Sequence, residues 1–166
     1  MQLFNFNHHP HALSPMVKEI MAHVQQLPYS ITDDLPFKVK YIVTELLTNA
    51  LKHSVAAQSS IHLSVNNGYL HIHKADEGAP LPILLKLAVT KTGQPILVGQ
   101  DVLYRLYGIQ EEKNRIKFIG EELECIIDVN QVTEHFGLQI ITRMADEFIY
   151  QYDEPTNLFT VRIKLD

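Results

Sequence analysis

The sequence is poor in cysteine, glycine and tryptophan, and it lacks any long apolar run. Its 166 residues include one cysteine, seven glycines and no tryptophan. The single cysteine, Cys125, excludes an intrachain disulfide framework. No apolar run approaches the roughly 18 residues that indicate a membrane-spanning helix, and the first residues lack the layout of a signal peptide. We therefore expect a cytoplasmic protein with no membrane partner.

Positive charge is also scarce. Fourteen Lys and Arg residues stand against nineteen Asp and Glu, which gives a formal net charge of −5 at pH 7. Nucleic-acid surfaces depend on clustered cations, so we expect no nucleic-acid partner. A nucleotide site needs only a few local cations and backbone N–H groups, so this charge balance does not exclude one.

Length and apolar content indicate one folded domain. Hydrophobic residues make up 46% of the 166 positions. That is a globular composition, and the length suits a single core. We expect residues 1–166 to form a single domain.

The most informative segment is residues 41–53, which has the period of an amphipathic helix. Glu45, Asn49 and Lys52 fall on one stripe about 60° wide. A separate apolar stripe holds Val39, Val43, Leu46 and Ala50. A carboxylate, an amide and an ammonium group in one stripe suit a metal-bound polyphosphate. The alternative is an ordinary amphipathic helix whose polar face is solvated.

The string Glu-Leu-Leu-Thr-Asn-Ala-Leu-Lys-His at 45–53 resembles the N-box of the GHKL superfamily, the ATP-binding fold of histidine kinases and gyrase-type topoisomerases. Three further matches follow in the family's order. Lys74 to Gly78 resembles the G1 box, and His135-Phe136-Gly137-Leu138 resembles a degenerate G2 box. Thr160 to Leu165 resembles the closing strand. Together the matches span residues 41–165.

The resemblance implies Mg-ATP as the ligand and assigns roles near the phosphates. Asn49 would bind Mg²⁺, which needs only one or two protein oxygens besides phosphate and water. Glu45 would act as the catalytic residue on the attacking oxygen. Lys52 and His53 would face phosphate oxygens, although both also suit the negative end of a helix dipole.

The remaining roles concern the base and the second glycine box. Asp76 would accept a hydrogen bond from the adenine amino group, and Gly78 would let the backbone approach the base. Gly137 and Leu138 would bring helix N-terminal N–H groups to the phosphates, and Thr160 would lie near the adenine. An Asp-x-Gly turn after a strand is also common outside this family.

The predicted fold is an α/β (α+β) two-layer sandwich in which helices cover one face of a mixed β-sheet. Periodicity predicts a helix from Ser14 to Pro28, the N-box helix from Asp34 to His53, and a hairpin over 61–72. It also predicts a helix whose apolar stripe runs from Leu138 to Phe148, and a last strand at 159–165.

The interval between the two glycine boxes departs from the family pattern. The family has a mobile lid there, but Pro80 and His135 stand where glycines are usual, and the insertion at about 80–133 is long. Within it, Arg115–Phe118 and Leu123–Ile127 alternate like the two strands of a hairpin. The insertion could extend the sheet or dock a partner, and the alternation favours the first.

Among GHKL proteins the chain is most similar to bacterial anti-sigma-factor serine/threonine kinases. That resemblance implies signal transduction by phosphotransfer from ATP to a protein. The implied partners are an anti-anti-sigma-like antagonist or a sigma factor, and a homodimer is possible. Two alternatives remain open: a degenerate, non-catalytic GHKL binding module, and a stand-alone ATPase domain like that of histidine kinases.

Overall fold

The computed structural model describes residues 1–27, 34–87, 92–101, 103–123 and 136–165. That part of the chain forms eight strands and four helices. In chain order they are β1 (Gln2–Asn7), α1 (Pro10–Val24), α2 (Leu35–His53), β2 (Gln58–Asn66), β3 (Tyr69–Glu77), α3 (Pro82–Leu87), β4 (Pro95–Gln100), β5 (Tyr104–Glu112), β6 (Arg115–Glu122), α4 (Phe136–Met144), β7 (Glu147–Asp153) and β8 (Thr156–Lys164). Within the described ranges, no helix is both long and apolar enough to cross a membrane.

All eight strands belong to one open sheet, in the order β1-β2-β3-β8-β7-β6-β5-β4. Every pairing among them is antiparallel, so the expected mixed sheet is antiparallel in the described residues. The reason lies in the connections, because β2–β3, β5–β6 and β7–β8 are hairpins. Tight turns join antiparallel strands, whereas parallel neighbours need a long crossover.

The β2–β3 hairpin confirms the turn that the sequence predicted. Asn67 and Gly68 have φ angles of 51° and 75°, the left-handed pair that fits the twist of a two-residue hairpin. The resulting register places Ser59 opposite Asp76. The alternation of β3 turns Leu70 and Ile72 into the core.

The helices and the inward side chains of the strands form one core. Seven residues of α2 are buried: Leu35, Val39, Ile42, Val43, Leu46, Leu47 and Ala50. They belong, except for Ala50, to the same apolar cluster as the inward side chains of the sheet. The outward face of the sheet carries partly exposed polar residues such as Thr160 and Arg162. The prediction of helices on one face therefore holds for the described part of the chain.

The N-terminal region differs from the sequence-based expectation. Helix α1 begins at Pro10 rather than Ser14, so Pro15 lies inside it. Strand β1 precedes it and was not predicted. Its Phe4 and Phe6 are buried against the core, and this burial fixes the strand on the edge of the sheet.

Two boundaries in the second half also differ. Phe148 was assigned to a helical stripe, but α4 ends at Met144 and Phe148 lies in β7. The run Phe-Ile-Tyr is rich in aromatic and β-branched residues, which favour strands. The expected hairpin across Gly120 is wrong, because β6 continues from Arg115 to Glu122 and its hairpin partner is β5. Residues 124–127 of that prediction lie outside the described ranges.

The segment between the two predicted glycine boxes extends the sheet in its described part. Strands β4, β5 and β6 are added beside β7, at the edge away from β1. Their inward residues Leu106, Ile116 and Phe118 join the common core. This agrees with the interpretation that its alternating residues serve the core.

Candidate functional site

The first part of the candidate site lies where α2 packs against the beginning of α4. Glu45 and Asn49 are half-buried on α2, one turn apart, and beside its buried stripe. Gly137 is the second residue of α4. A Cβ atom at Gly137 would lie 2.7 Å from Glu45 Oε2 and 3.4 Å from both Asn49 Oδ1 and Nδ2. The fold therefore brings together three of the residues that the sequence singled out.

The chemistry of this contact suits a bound anion with a metal ion. The first N–H groups of a helix have no partner within the helix, and they carry the positive end of its dipole. The absence of a side chain at Gly137 lets the Glu45 carboxylate and the Asn49 amide approach that end. Asn49 could contribute one oxygen to Mg²⁺, and phosphate oxygens would supply others.

The other predicted phosphate contacts are less closely joined to this group. Lys52 and His53 lie on the last turn of α2, and both are exposed. Leu138 is half-buried and packs against the apolar core. Its carbonyl oxygen accepts a hydrogen bond from Thr142 Oγ1 at 2.8 Å. His135 lies outside the described residues.

The second part of the candidate site is a buried ion pair at the end of β3. Lys74 Nζ donates to Asp76 Oδ2, and the two side chains are only 3% and 5% exposed. The Lys74 ammonium also lies 4.8 Å from the centre of the Phe159 ring. Burial lowers the pKa of Lys74, and the Asp76 carboxylate partly opposes that effect. Asp76, the residue expected to accept from adenine, thus already has a charged donor.

A hydrogen-bond network ties the chain after Asp76 to β7 and β8. The Leu81 N–H donates to Tyr150 Oη at 2.8 Å, and Tyr150 Oη donates to Asn157 Oδ1 at 2.7 Å. Asn157 Nδ2 then donates to the Ala79 carbonyl oxygen at 3.2 Å. Burial raises the pKa of Tyr150 to about 12, so its hydroxyl keeps its proton and remains a donor.

The residues that follow α2 lie against the end of β3 and the chain after it. Ser54 Oγ donates to the Glu77 carbonyl oxygen at 3.5 Å. A Cβ at Gly78 would lie 3.5 Å from Val55 Cγ2 and 3.6 Å from Asn157 Nδ2. Gly78 therefore lies between the residues after α2 and the beginning of β8.

The structure does not bring Thr160 to Asp76. Phe159 and Val161 point into the core, so Thr160 between them points to the opposite face of the sheet. There its Oγ1 lies 3.0 Å from Nδ1 of His73, the residue that pairs with it across β3 and β8. Asn157 is the β8 residue that pairs directly with Asp76 on the inward face.

A separate cavity lies on the other side of α4. It has a volume of about 550 Å³ and is bordered by the beginning of β5, by β6 and β7, and by the C-terminal half of α4, including Tyr104, Lys117 and Arg143. None of the predicted site residues lines it. Among the described residues, no group of three or more His, Cys, Asp or Glu side chains is arranged to hold a metal ion. The Mg²⁺ predicted here would instead be held by one amide and the nucleotide.

Sequence reasoning missed Lys74, Tyr150 and Asn157, and one signal for Lys74 was available. Leu70, Ile72, Lys74 and Asp76 alternate along β3, so the period of two places the lysine on the buried face. The network through Tyr150 and Asn157 had no comparable signal, because it depends on the pairing of β7 with β8.

No protein-family model and no curated protein matches this chain.

Proposed function

We propose that this protein is an ATP-binding regulatory protein of the GHKL type, which binds Mg²⁺ between Asn49 and the nucleotide phosphates. The observation that carries the proposal is the meeting of Glu45 and Asn49 with Gly137 at the beginning of α4. These residues come from the two boxes that the resemblance assigns to the phosphate end. Residues so far apart in the chain meet there through the packing of α2 on α4.

The activity that follows is phosphotransfer from Mg-ATP to a serine or threonine of a protein partner, of the anti-sigma-factor type. Glu45 would take the proton from the attacking hydroxyl, and the N-terminal N–H groups of α4 would stabilise charge on the phosphates. The partner would be an anti-anti-sigma-like antagonist, and a sigma factor would be held by the same protein. We expect slow hydrolysis without a partner, because Pro80 replaces a glycine at a hinge of the expected lid.

The second candidate is a non-catalytic binding module with a degenerate nucleotide pocket. The specific observation in its favour is the Lys74–Asp76 ion pair, which occupies the carboxylate expected to select adenine. The meeting of Glu45, Asn49 and Gly137 supports a phosphate contact, whereas the ion pair counts against adenine recognition by Asp76 in this conformation. A module of this kind would bind its protein partner with or without ATP.

Matched substitutions on α2 separate these two functions. Asn49→Ala should remove the Mg²⁺-dependent part of ATP binding, and Glu45→Ala should keep binding but remove turnover. Thr44→Ala is the control, because Thr44 Oγ1 donates to the Lys40 carbonyl oxygen of its own helix. If the parent protein binds no ATP, and neither Asn49→Ala nor Glu45→Ala changes its association with a partner, the catalytic function is wrong and the binding module is favoured.

A further inference from the structure

A lysine occupies a core position in front of the carboxylate that should read the base. On the inward face of β3, Lys74 follows the buried Leu70 and Ile72. Its cross-strand neighbours are Ile61 on β2 and Phe159 on β8. An apolar residue would satisfy this environment, so the ammonium group requires a specific partner.

The buried Lys74 ammonium group has two stabilising neighbours. Burying an ammonium group is costly unless a charge and hydrogen bonds compensate it. Here Asp76 Oδ2 and the face of the Phe159 ring supply that compensation. Ser59, directly opposite Asp76, has a buried Oγ without a hydrogen-bond partner in the described structure. The residue that pairs with Asp76 across β2 and β3 thus carries a buried hydroxyl group that is unsatisfied among the described residues.

The backbone after Asp76 supports the same conformation. The Gly78 N–H donates to the Pro155 carbonyl oxygen at 2.9 Å. The Ala79 carbonyl and the Leu81 N–H are held by Asn157 and Tyr150. Three hydrogen bonds therefore fix this short segment against the β7–β8 hairpin, beside the ion pair.

We propose that Lys74 competes with an adenine nucleotide for Oδ2 of the Asp76 carboxylate, so that the nucleotide must displace the ammonium group from that oxygen to bind. This inference rests on the proposed function, because it assumes that Asp76 is the group that would accept from the adenine amino group. In this exchange, the uncharged amino group of adenine replaces the charged ammonium group of Lys74 as the donor to Asp76. The nucleotide affinity of the parent protein is therefore low, and Lys74 rather than Asp76 sets it.

Substitution of Lys74 tests the competition directly. Lys74→Met keeps the length of the stem and removes the charge, and it should bind Mg-ATP at least 10-fold more tightly than the parent protein. Lys74→Arg retains a cation and should stay weak. Lys18→Met, on the exposed face of α1, is the control and should leave affinity unchanged. Titration calorimetry with Mg-ATP and Mg-GTP gives the affinities, and the gain should be confined to ATP.

Lys74→Met leaves a buried carboxylate without its partner, so the parent protein supplies a second measurement. Acetylation by a small reagent, read by mass spectrometry, should modify Lys18 readily and Lys74 slowly. Saturating Mg-ATP should raise the labelling rate of Lys74 and leave that of Lys18 unchanged. Unchanged Lys74 labelling while ATP is bound would overturn the competition.

The outcomes distinguish the two proposals. If the parent protein binds ATP and folded Lys74→Met binds it equally, the competition is wrong and the ATP-binding function stands. If neither the parent protein nor any Lys74 variant binds ATP at millimolar concentration, the ATP-binding function itself is wrong, and the inference falls with it.

Discussion

Replacing Gly137 by alanine tests the packing of α2 on α4 that would assemble the phosphate end of the proposed site. The added Cβ would lie 2.7 Å from Glu45 Oε2, well inside ordinary contact distance, and 3.4 Å from the Asn49 amide. The nearest atom is the end of a flexible side chain, so Glu45 is expected to rotate away. The substitution should therefore preserve the fold and displace the proposed catalytic carboxylate.

The magnitude follows from two opposing effects. Alanine is favoured over glycine inside a helix by up to about 1 kcal/mol. Displacing Glu45 from the beginning of α4 loses an interaction with the helix dipole of about 0.3–1 kcal/mol. We expect the unfolding free energy of Gly137→Ala to lie within about 0.5 kcal/mol of the parent value, because the two effects nearly cancel. In a Glu45→Ala background the second effect is absent, and Gly137→Ala should stabilise by up to about 1 kcal/mol.

Urea unfolding of the four proteins in this cycle gives the coupling energy between the two positions. Turnover or phosphotransfer should be lost in Gly137→Ala, although its stability is nearly unchanged. Two results would refute the reasoning. One is a coupling energy of zero, which means that the two side chains do not meet. The other is full turnover by Gly137→Ala, which means that the position of Glu45 does not matter.

Two other predictions concern parts of the fold outside the site. A Cβ at Gly120 would lie 1.5 Å from the Tyr104 hydroxyl oxygen, so Gly120→Ala should destabilise the fold by about 1–3 kcal/mol. Urea unfolding should show this cost largely removed in a Tyr104→Ala background. An equal cost in that background would contradict the packing of Gly120 on Tyr104. Burial, followed by the charges of His71 and His62, lowers the pKa of His73 below 6.5. The contribution of His73 to stability is therefore complete above pH 6.5 and is lost as pH falls through its lowered pKa. Unfolding free energies at pH 7.5 and 5.5 should show a smaller acid loss for His73→Gln than for the parent protein, and an equal loss would contradict the assignment.

Local signals predicted helix α2 and the β2–β3 hairpin. Helix α2, from Leu35 to His53, follows from its apolar stripe. The turn at Asn67 and Gly68 follows from a dipeptide that tolerates positive φ. These features depend on residues close together in the chain, which is why periodicity was sufficient.

The remaining features depend on contacts that periodicity does not contain. Phe4 and Phe6 lie in a short segment near the N-terminus. Their burial is explained only by the pairing of β1 with the edge of β2. The orientation of Thr160 follows from the register of β8, because a shift of one residue moves a side chain to the other face. Lys74 lies in the segment that resembles the G1 box, but the resemblance assigns roles there only to Asp76 and Gly78.

Calorimetric titration of the parent protein and Asn49→Ala with ATP, with and without Mg²⁺, tests the central claim most directly. We predict weak binding of ATP by the parent protein that Mg²⁺ strengthens, and binding by Asn49→Ala that Mg²⁺ leaves unchanged. GTP should bind more weakly than ATP to the parent protein. Absence of ATP binding at millimolar concentration, or an equal effect of Mg²⁺ on both proteins, would contradict a nucleotide site built around Asn49.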